Sequence, residues 1–201
     1  MPVWASVREC PERRVRSSLV VITFLGRDGW RWLVAPHACQ VEADRLTWTC
    51  QGKTDLWRIT EGVESMHNAP AFVVSVNGDF RFEATFEARF ADLYDQVGIL
   101  AQASEVRWLK VGVELDGRPW LSAVHTHDES DWSREPFGAL PIELAVERRA
   151  SSVFCSLHEK GNWRIFRVLY LPGRIEVGPY SCAPKGVGFD AVMRSAVLTE
   201  V

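Results

Sequence analysis

The residues best suited to chemistry in this chain are polar side chains set into apolar strand patterns. In Trp108-Leu109-Lys110-Val111-Gly112-Val113-Glu114-Leu115, the residues Val111, Val113 and Leu115 share one face, and Trp108, Lys110, Gly112 and Glu114 share the other. In Gln96-Val97-Gly98-Ile99-Leu100-Ala101, Val97, Ile99 and Ala101 form the apolar set, with Gln96 and Gly98 opposite. Glycine on a strand face removes a side chain and lets another group come close. Two such strands side by side would build a polar floor of Gln96, Lys110 and Glu114 with room above it. An ordinary solvent-facing sheet surface produces the same pattern. Lys110 and Glu114 are four apart on one strand, about 13 Å at roughly 3.3 Å per residue. Each therefore needs a partner on a neighbouring strand, and Gln96, Thr126 and Asp131 are the candidates.

Two Asp–Trp couples add to this set: Asp55 with Trp57, and Asp131 with Trp132. A carboxylate can hold a sugar hydroxyl while an indole stacks on the ring's apolar face. The structural alternative is a Trp anchored in the core and an Asp capping a turn. For glycoside chemistry two carboxyls are required, roughly 5 Å apart for retention or 6.5–9.5 Å for inversion. Glu114 is the best acid, and Asp131 or Asp55 the best partner. Lys110 beside Glu114 would keep it ionised, which suits a nucleophile better than a general acid. The stretch from His125 to Ser133 begins at a strand end and reads as a polar loop. His125 and His127 share one side of a strand, a spacing that allows metal binding, but such a loop is more often a solvated turn, and no metal is expected. The chain has no G-x-S-x-G, P-loop, H-E-x-x-H or G-x-G-x-x-G motif, and no cofactor is expected.

Strands must position these residues, because the dominant period is two. From Asp79 to Phe90, Phe80, Phe82, Ala84, Phe86, Ala88 and Phe90 alternate with Arg81, Glu83, Thr85, Glu87 and Arg89, the pattern of a long half-buried strand. Further strands are expected at 45–50, 72–76, 96–102, 107–115, 120–126, 142–149, 152–158, 162–171, 175–182 and 191–200. Turn signals such as Asn77-Gly78-Asp79, Asp116-Gly117 and Pro172-Gly173 separate them. Regularly spaced strands with almost no helical stretch predict an all-β sandwich or barrel, and strands of ten or more residues favour large curved sheets in a sandwich.

Composition narrows the function classes. The chain has 201 residues, 47% apolar and 24% charged, with nine Trp, ten Phe and three Tyr. This is an ordinary globular composition with ample aromatic bulk for a core. The net charge is −3, which argues against a nucleic-acid phosphate backbone as the main partner. No segment approaches the roughly 18–20 apolar residues of a membrane helix. The run Leu19–Leu25 follows Arg13-Arg14 and mimics a signal peptide, but it is short and lacks a small-x-small site. It reads as a strand or as an extension. Five Cys with no C-x-x-C suggest reduced thiols in the cytoplasm. The expected organisation is an N-terminal extension or extra strand at 1–29 and one domain at 30–201.

Thr54-Asp55-Leu56-Trp57, Tyr94-Asp95-Gln96-Val97-Gly98, the 108–114 strand, Thr126 with Ser130-Asp131-Trp132-Ser133, and Val177-Gly178-Pro179-Tyr180-Ser181-Cys182-Ala183-Pro184 occur in that order. Together they resemble the regulation-of-enolase-like family, a domain-of-unknown-function family (DUF1349) of the concanavalin A-like lectin/glucanase superfamily. The resemblance spans about 30–201. It implies a two-sheet antiparallel β-sandwich (jelly roll) with a concave polar face, where superfamily relatives bind or cleave glycans. Leu56 and His125 depart from the family pattern, which has an aromatic and an aliphatic residue there. The glucanase signature E-x-D-x-E is incomplete at Glu114-Leu115-Asp116-Gly117-Arg118.

Three functions compete. The first is a non-catalytic binding module for a carbohydrate or small polar metabolite, with Asp55, Trp57, Gln96, Lys110, Glu114, Thr126, Asp131 and Trp132 as its site. The second is a glycoside-active enzyme using Glu114 with Asp131 or Asp55. The third is a protein-binding regulator of carbohydrate metabolism, as the family name implies. The first is favoured.

Overall fold

Alternating burial along β-strands carries the architecture. The computed structural model describes residues 22–59, 62 and 64–200. The strands in chain order begin with β1 (Ile22–Phe24), β2 (Arg27–Trp32), β3 (Ala38–Val41), β4 (Leu46–Gln51), β5 (Leu56–Trp57) and β6 (Met66–His67). Next come β7 (Phe72–Val76), β8 (Phe80–Ala88), β9 (Gln96–Ser104), β10 (Arg107–Asp116), β11 (Arg118–His127) and β12 (Glu129–Pro136). The last are β13 (Ile142–Arg149), β14 (Ser152–Glu159), β15 (Asn162–Tyr170), β16 (Ile175–Cys182) and β17 (Gly188–Glu200). No helix among the described residues is long and apolar enough to cross a membrane.

The strands form two large antiparallel sheets. The larger runs β1-β2-β7-β16-β9-β10-β11-β12 and the smaller β15-β14-β13-β8-β17-β4-β3, with β5 and β6 as a separate two-stranded ribbon. The expected all-β sandwich is what the chain builds. In β8, Phe80, Phe82, Ala84 and Phe86 point into the inter-sheet core, while Arg81 on the outer face pairs with Glu147 of β13. The larger sheet contributes Val97, Ile99, Val111 and Val113 to the same core, all fully buried.

β9 and β10 are buried on both faces, which a one-sided sandwich does not require. The described residues of the 53–71 segment cross the outer face of the larger sheet as a strap carrying β5 and β6. Leu56, Ala69 and Ala71 of the strap bury a second apolar cluster with Leu100, Trp108, Tyr180 and Cys182. The open polar floor expected from the sequence is thus mostly roofed over by the chain itself. Gly98 and Gly112 lie directly opposite each other, and a Cβ at either would collide with the neighbouring strand's backbone. Close approach of two strands, as much as open space, explains the glycines.

One segment differs from the sequence reading. The polar stretch ending at Ser133 is not a loop: β11 runs to His127, the chain turns at Asp128 with φ 70°, and β12 forms the sheet edge. An edge strand pairs on one side only, so it needs no apolar alternation. Residues 22–29, expected as an extension or extra strand, supply β1 and its turn into β2, with Phe24 in the core. Residues 1–21, including Cys10 and the start of the Leu19–Leu25 run, lie outside the described residues.

Candidate functional site

The site is assembled where the strap stops short of the sheet's end. Register sets its floor. Gln96 of β9 stands directly across from Glu114 of β10, and Lys110 lies two pleat repeats further along the same face. Gln96, Lys110 and Glu114 are all buried, at 5%, 2% and 3% exposure.

Lys110 finds its partner on the strap. Its ammonium donates to Asp55 Oδ1 at 2.8 Å. Burial opposes the charge most, but Asp55, Cys182 and Glu114 together outweigh it and hold Lys110 above its ordinary value. Asp55 Oδ1 also accepts from Leu56 N at 2.7 Å, and Asn68 Oδ1 accepts from Asp55 N at 2.9 Å, so the anchoring carboxylate is locally fixed. At the sheet's far edge Arg58 N donates to Ser130 Oγ at 3.0 Å, and Ser130 N donates back to Arg58 O at 3.1 Å. His67 Nε2 pairs with Gln102 Oε1 at 2.9 Å.

Glu114 has no such charge partner. Burial pushes its carboxyl up to about 7, against the pull of Lys110 and Arg134, with Asp55 and Asp116 adding to the rise. This reverses the expectation that Lys110 keeps it ionised: desolvation wins where the ammonium is committed to Asp55. Ser122 Oγ lies 3.5 Å from Glu114 Oε2 and accepts from Trp132 Nε1 at 3.0 Å. Glu114 Oε1, Gln96 Oε1 and Trp57 Nε1 are buried without a hydrogen-bond partner. Such orphans are uncommon and costly in folded proteins.

These atoms surround a cleft of about 250 Å³ lined by Asp55, Trp57, Gln96, Glu114 and Trp132, with Met66, Tyr94, Pro184 and Lys185 completing it. Trp57 meets Trp132 edge to face, with centroids 6.5 Å apart and planes at 87°. The Arg134 guanidinium lies 4.8 Å from the Trp132 ring and 4.5 Å from Trp120, and it pairs with Asp116. That stack holds the Trp132 wall in place. Asp95, fully buried, accepts from the backbone N–H groups of Ala91 and Asp92 at 2.8 and 2.9 Å. It thereby fixes the loop that delivers Tyr94 and Gln96.

Of the eight residues singled out by sequence, Asp55, Trp57, Gln96, Glu114 and Trp132 line the cleft, and Lys110 lies behind Asp55. Thr126 and Asp131 do not join them. Thr126 is fully buried, and its hydroxyl pairs with Ser130 at 2.8 Å under the strap. Asp131 points to the opposite face from Trp132, where it pairs with Arg167. Adjacent residues on a strand face opposite ways, so Asp131 cannot share a site with Trp132. The sequence reading overlooked Met66, Tyr94, Ser122, Arg134, Pro184 and Lys185. Ser122 and Arg134 share a face with Trp120 and Trp132 by simple alternation, a signal available once β12 is a strand. Among the described residues no group of His, Cys, Asp and Glu is placed to hold a metal ion.

The family model for proteins of unknown function DUF1349 matches residues 32–201. The chain belongs to the DUF1349 family. A relative from Saccharomyces cerevisiae, Regulation of enolase protein 1, is 29% identical over 175 residues, covering 84% of this chain and 88% of that protein. The crystal structure of a functionally unknown protein from the same yeast has a TM-score of 0.81 at 28% identity, over 86% of this chain and 96% of that one. Two more distant structures share the fold. One is xylan beta-1,4-xylosidase from Bacillus halodurans (TM-score 0.67, 14% identity, 95% of this chain, 41% of that one). The other is a legume lectin-like domain from Entamoeba histolytica (TM-score 0.54, 9% identity, 86% of this chain, 90% of that one). The DUF1349 match begins within β2 and takes in the strap, the floor and the cleft walls.

Proposed function

We propose that this DUF1349 protein is a non-catalytic binding module whose cleft takes a carbohydrate or small polar metabolite. One observation carries the reading. Two buried side-chain oxygens, Gln96 Oε1 and Glu114 Oε1, lie without partners in the floor of a cleft walled by Trp57 and Trp132. Hydroxyl donors of a ligand would satisfy them, and the indoles would cover its apolar faces.

Glycoside cleavage has less support. A carboxyl near 7 suits a general acid, but Asp131 lies across the sheet and Asp55 is engaged by Lys110. The yeast relative named for regulation of enolase favours a second reading, a regulator that touches a protein partner; a bound metabolite could then set its affinity. The buried thiols of Cys50, Cys155 and Cys182, which form no disulfide among the described residues, suit a reducing, cytoplasmic setting.

The test is a binding screen of glycans and polar metabolites on the pure protein by tryptophan fluorescence. Glu114→Gln and Trp132→Ala should each weaken any hit about ten- to a hundredfold, as expected for loss of a charged hydrogen bond or a stacking wall. A hit that both variants bind unchanged places recognition elsewhere.

A further inference from the structure

How much of a ligand the cleft can hold follows from what closes its two ends, and this inference rests on the binding reading above. An uncovered sheet face would let a polymer run across several strands. Here the strap occupies that path. It is tied to the β16 side by Lys53 N donating to Ala183 O at 2.8 Å and by Ser181 N donating to Pro70 O at 3.1 Å. In the middle it is held by Lys110 and Asp55, and at the β12 edge by Arg58 and Ser130. At the other end Gly186 packs so closely on the Asp92 side chain that a Cβ would not fit. That contact joins the two loops carrying Tyr94 and Lys185. The space between is about 250 Å³, smaller than the roughly 300–1,000 Å³ of sites for drug-sized ligands.

The floor specifies what enters. Gln96 and Glu114 are opposite residues on paired strands, whose Cβ atoms lie about 5 Å apart. Each offers an unpartnered oxygen, and Trp57 Nε1 is an unpartnered donor in the wall. With Glu114 ionised, two acceptors side by side match two donors on adjacent carbons. We propose that the cleft takes one free hydroxylated ring presenting a vicinal diol, a monosaccharide or cyclitol, and excludes the interior of a glycan chain.

The experiment uses the full chain labelled at its indole nitrogens, with the Trp57 and Trp132 signals assigned through Trp57→Phe and Trp132→Phe. The probes are D-glucose, D-galactose, D-xylose and myo-inositol as free rings, and soluble xylan and laminarin as polymers. At least one ring should shift both signals saturably, the monosaccharides and inositol separating the two sources, and neither polymer should shift them. Glu114→Gln and Gln96→Leu should each raise the dissociation constant tenfold or more while retaining the wild-type circular dichroism spectrum. Shifts produced by either polymer overturn the single-ring proposal and leave the binding reading standing. Ring binding that both variants leave unchanged overturns it as well. Shifts with none of the six probes overturn the proposal and the hydroxylated-ligand reading together.

Discussion

Glu114 sits on β10 with its carboxyl buried and the Ser122 hydroxyl 3.5 Å from Oε2. Its proton affinity is accordingly set by desolvation. The group moves from an ordinary value of 4.5 to about 7 in the folded protein. Between those values the folded state holds more proton than the unfolded chain, so stability declines as pH rises through that window and levels off above it. The shift corresponds to on the order of 3 kcal/mol. Glu114→Gln removes this titration. In urea unfolding at pH 5 and pH 8, the wild type should lose stability between the two, and the variant should lose about 2.5 kcal/mol less. Equal losses in both proteins would assign the dependence to another group, such as the buried Asp95. Sequence parity placed Gln96, Lys110 and Glu114 on one face because alternation is a local property. It could not show that Lys110 is spent on Asp55, since that pairing spans 55 residues and depends on the strap's path.

The strap is the element that most changes the meaning of the larger sheet. Its buried apolar residues, Leu56, Ala69 and Ala71, are scattered among polar ones, so no periodicity announces it. Its course is fixed instead by ties to distant strands. The strands themselves were legible: β8, β9 and β10 carry strong alternation. β12 was not, because an edge strand with Glu129, Ser130, Asp131 and Ser133 composes like a turn. The Lys110–Asp55 pair is the strap's central tie, with Lys110 2% and Asp55 15% exposed on their side chains. Removing one partner leaves the other charge buried and unmatched, which costs about 3–5 kcal/mol. Asp55→Ala should therefore lower stability by that amount and raise amide exchange at residues 64–68 ahead of the core strands. Adding Lys110→Met to Asp55→Ala should recover most of the loss, since an apolar side chain of similar length then fills the space beside Leu100 and Cys182. A double variant no more stable than Asp55→Ala alone would show that the carboxylate acts through Leu56 N and the local turn, and not through Lys110.

At the scale of the molecule, the question is where the folded unit begins. The family match starts at residue 32, yet the β1–β2 hairpin before it supplies core that the rest of the sandwich needs. Trp30 is 2% exposed. It stacks on Phe72 of β7 with centroids 5.3 Å apart at 24°, and meets Phe24 edge-on at 5.1 Å. Gly178 of β16 lies under it, with no room for a side chain against Phe72 and Trp30. The apolar run ending at Leu25 therefore owes its character to this packing, at least over the described residues 22–25. Truncating a buried indole leaves a cavity that neighbours only partly refill, and costs about 3–5 kcal/mol. Trp30→Ala should lower stability by that amount in chemical denaturation. Tyr170 is an aromatic of comparable bulk on the edge strand β15 but is 67% exposed; Tyr170→Ala should change stability by no more than about 0.5 kcal/mol. If Trp30→Ala instead matches Tyr170→Ala, the hairpin is an appendage resting on the sheet, and the family boundary at residue 32 is also the boundary of the cooperative fold.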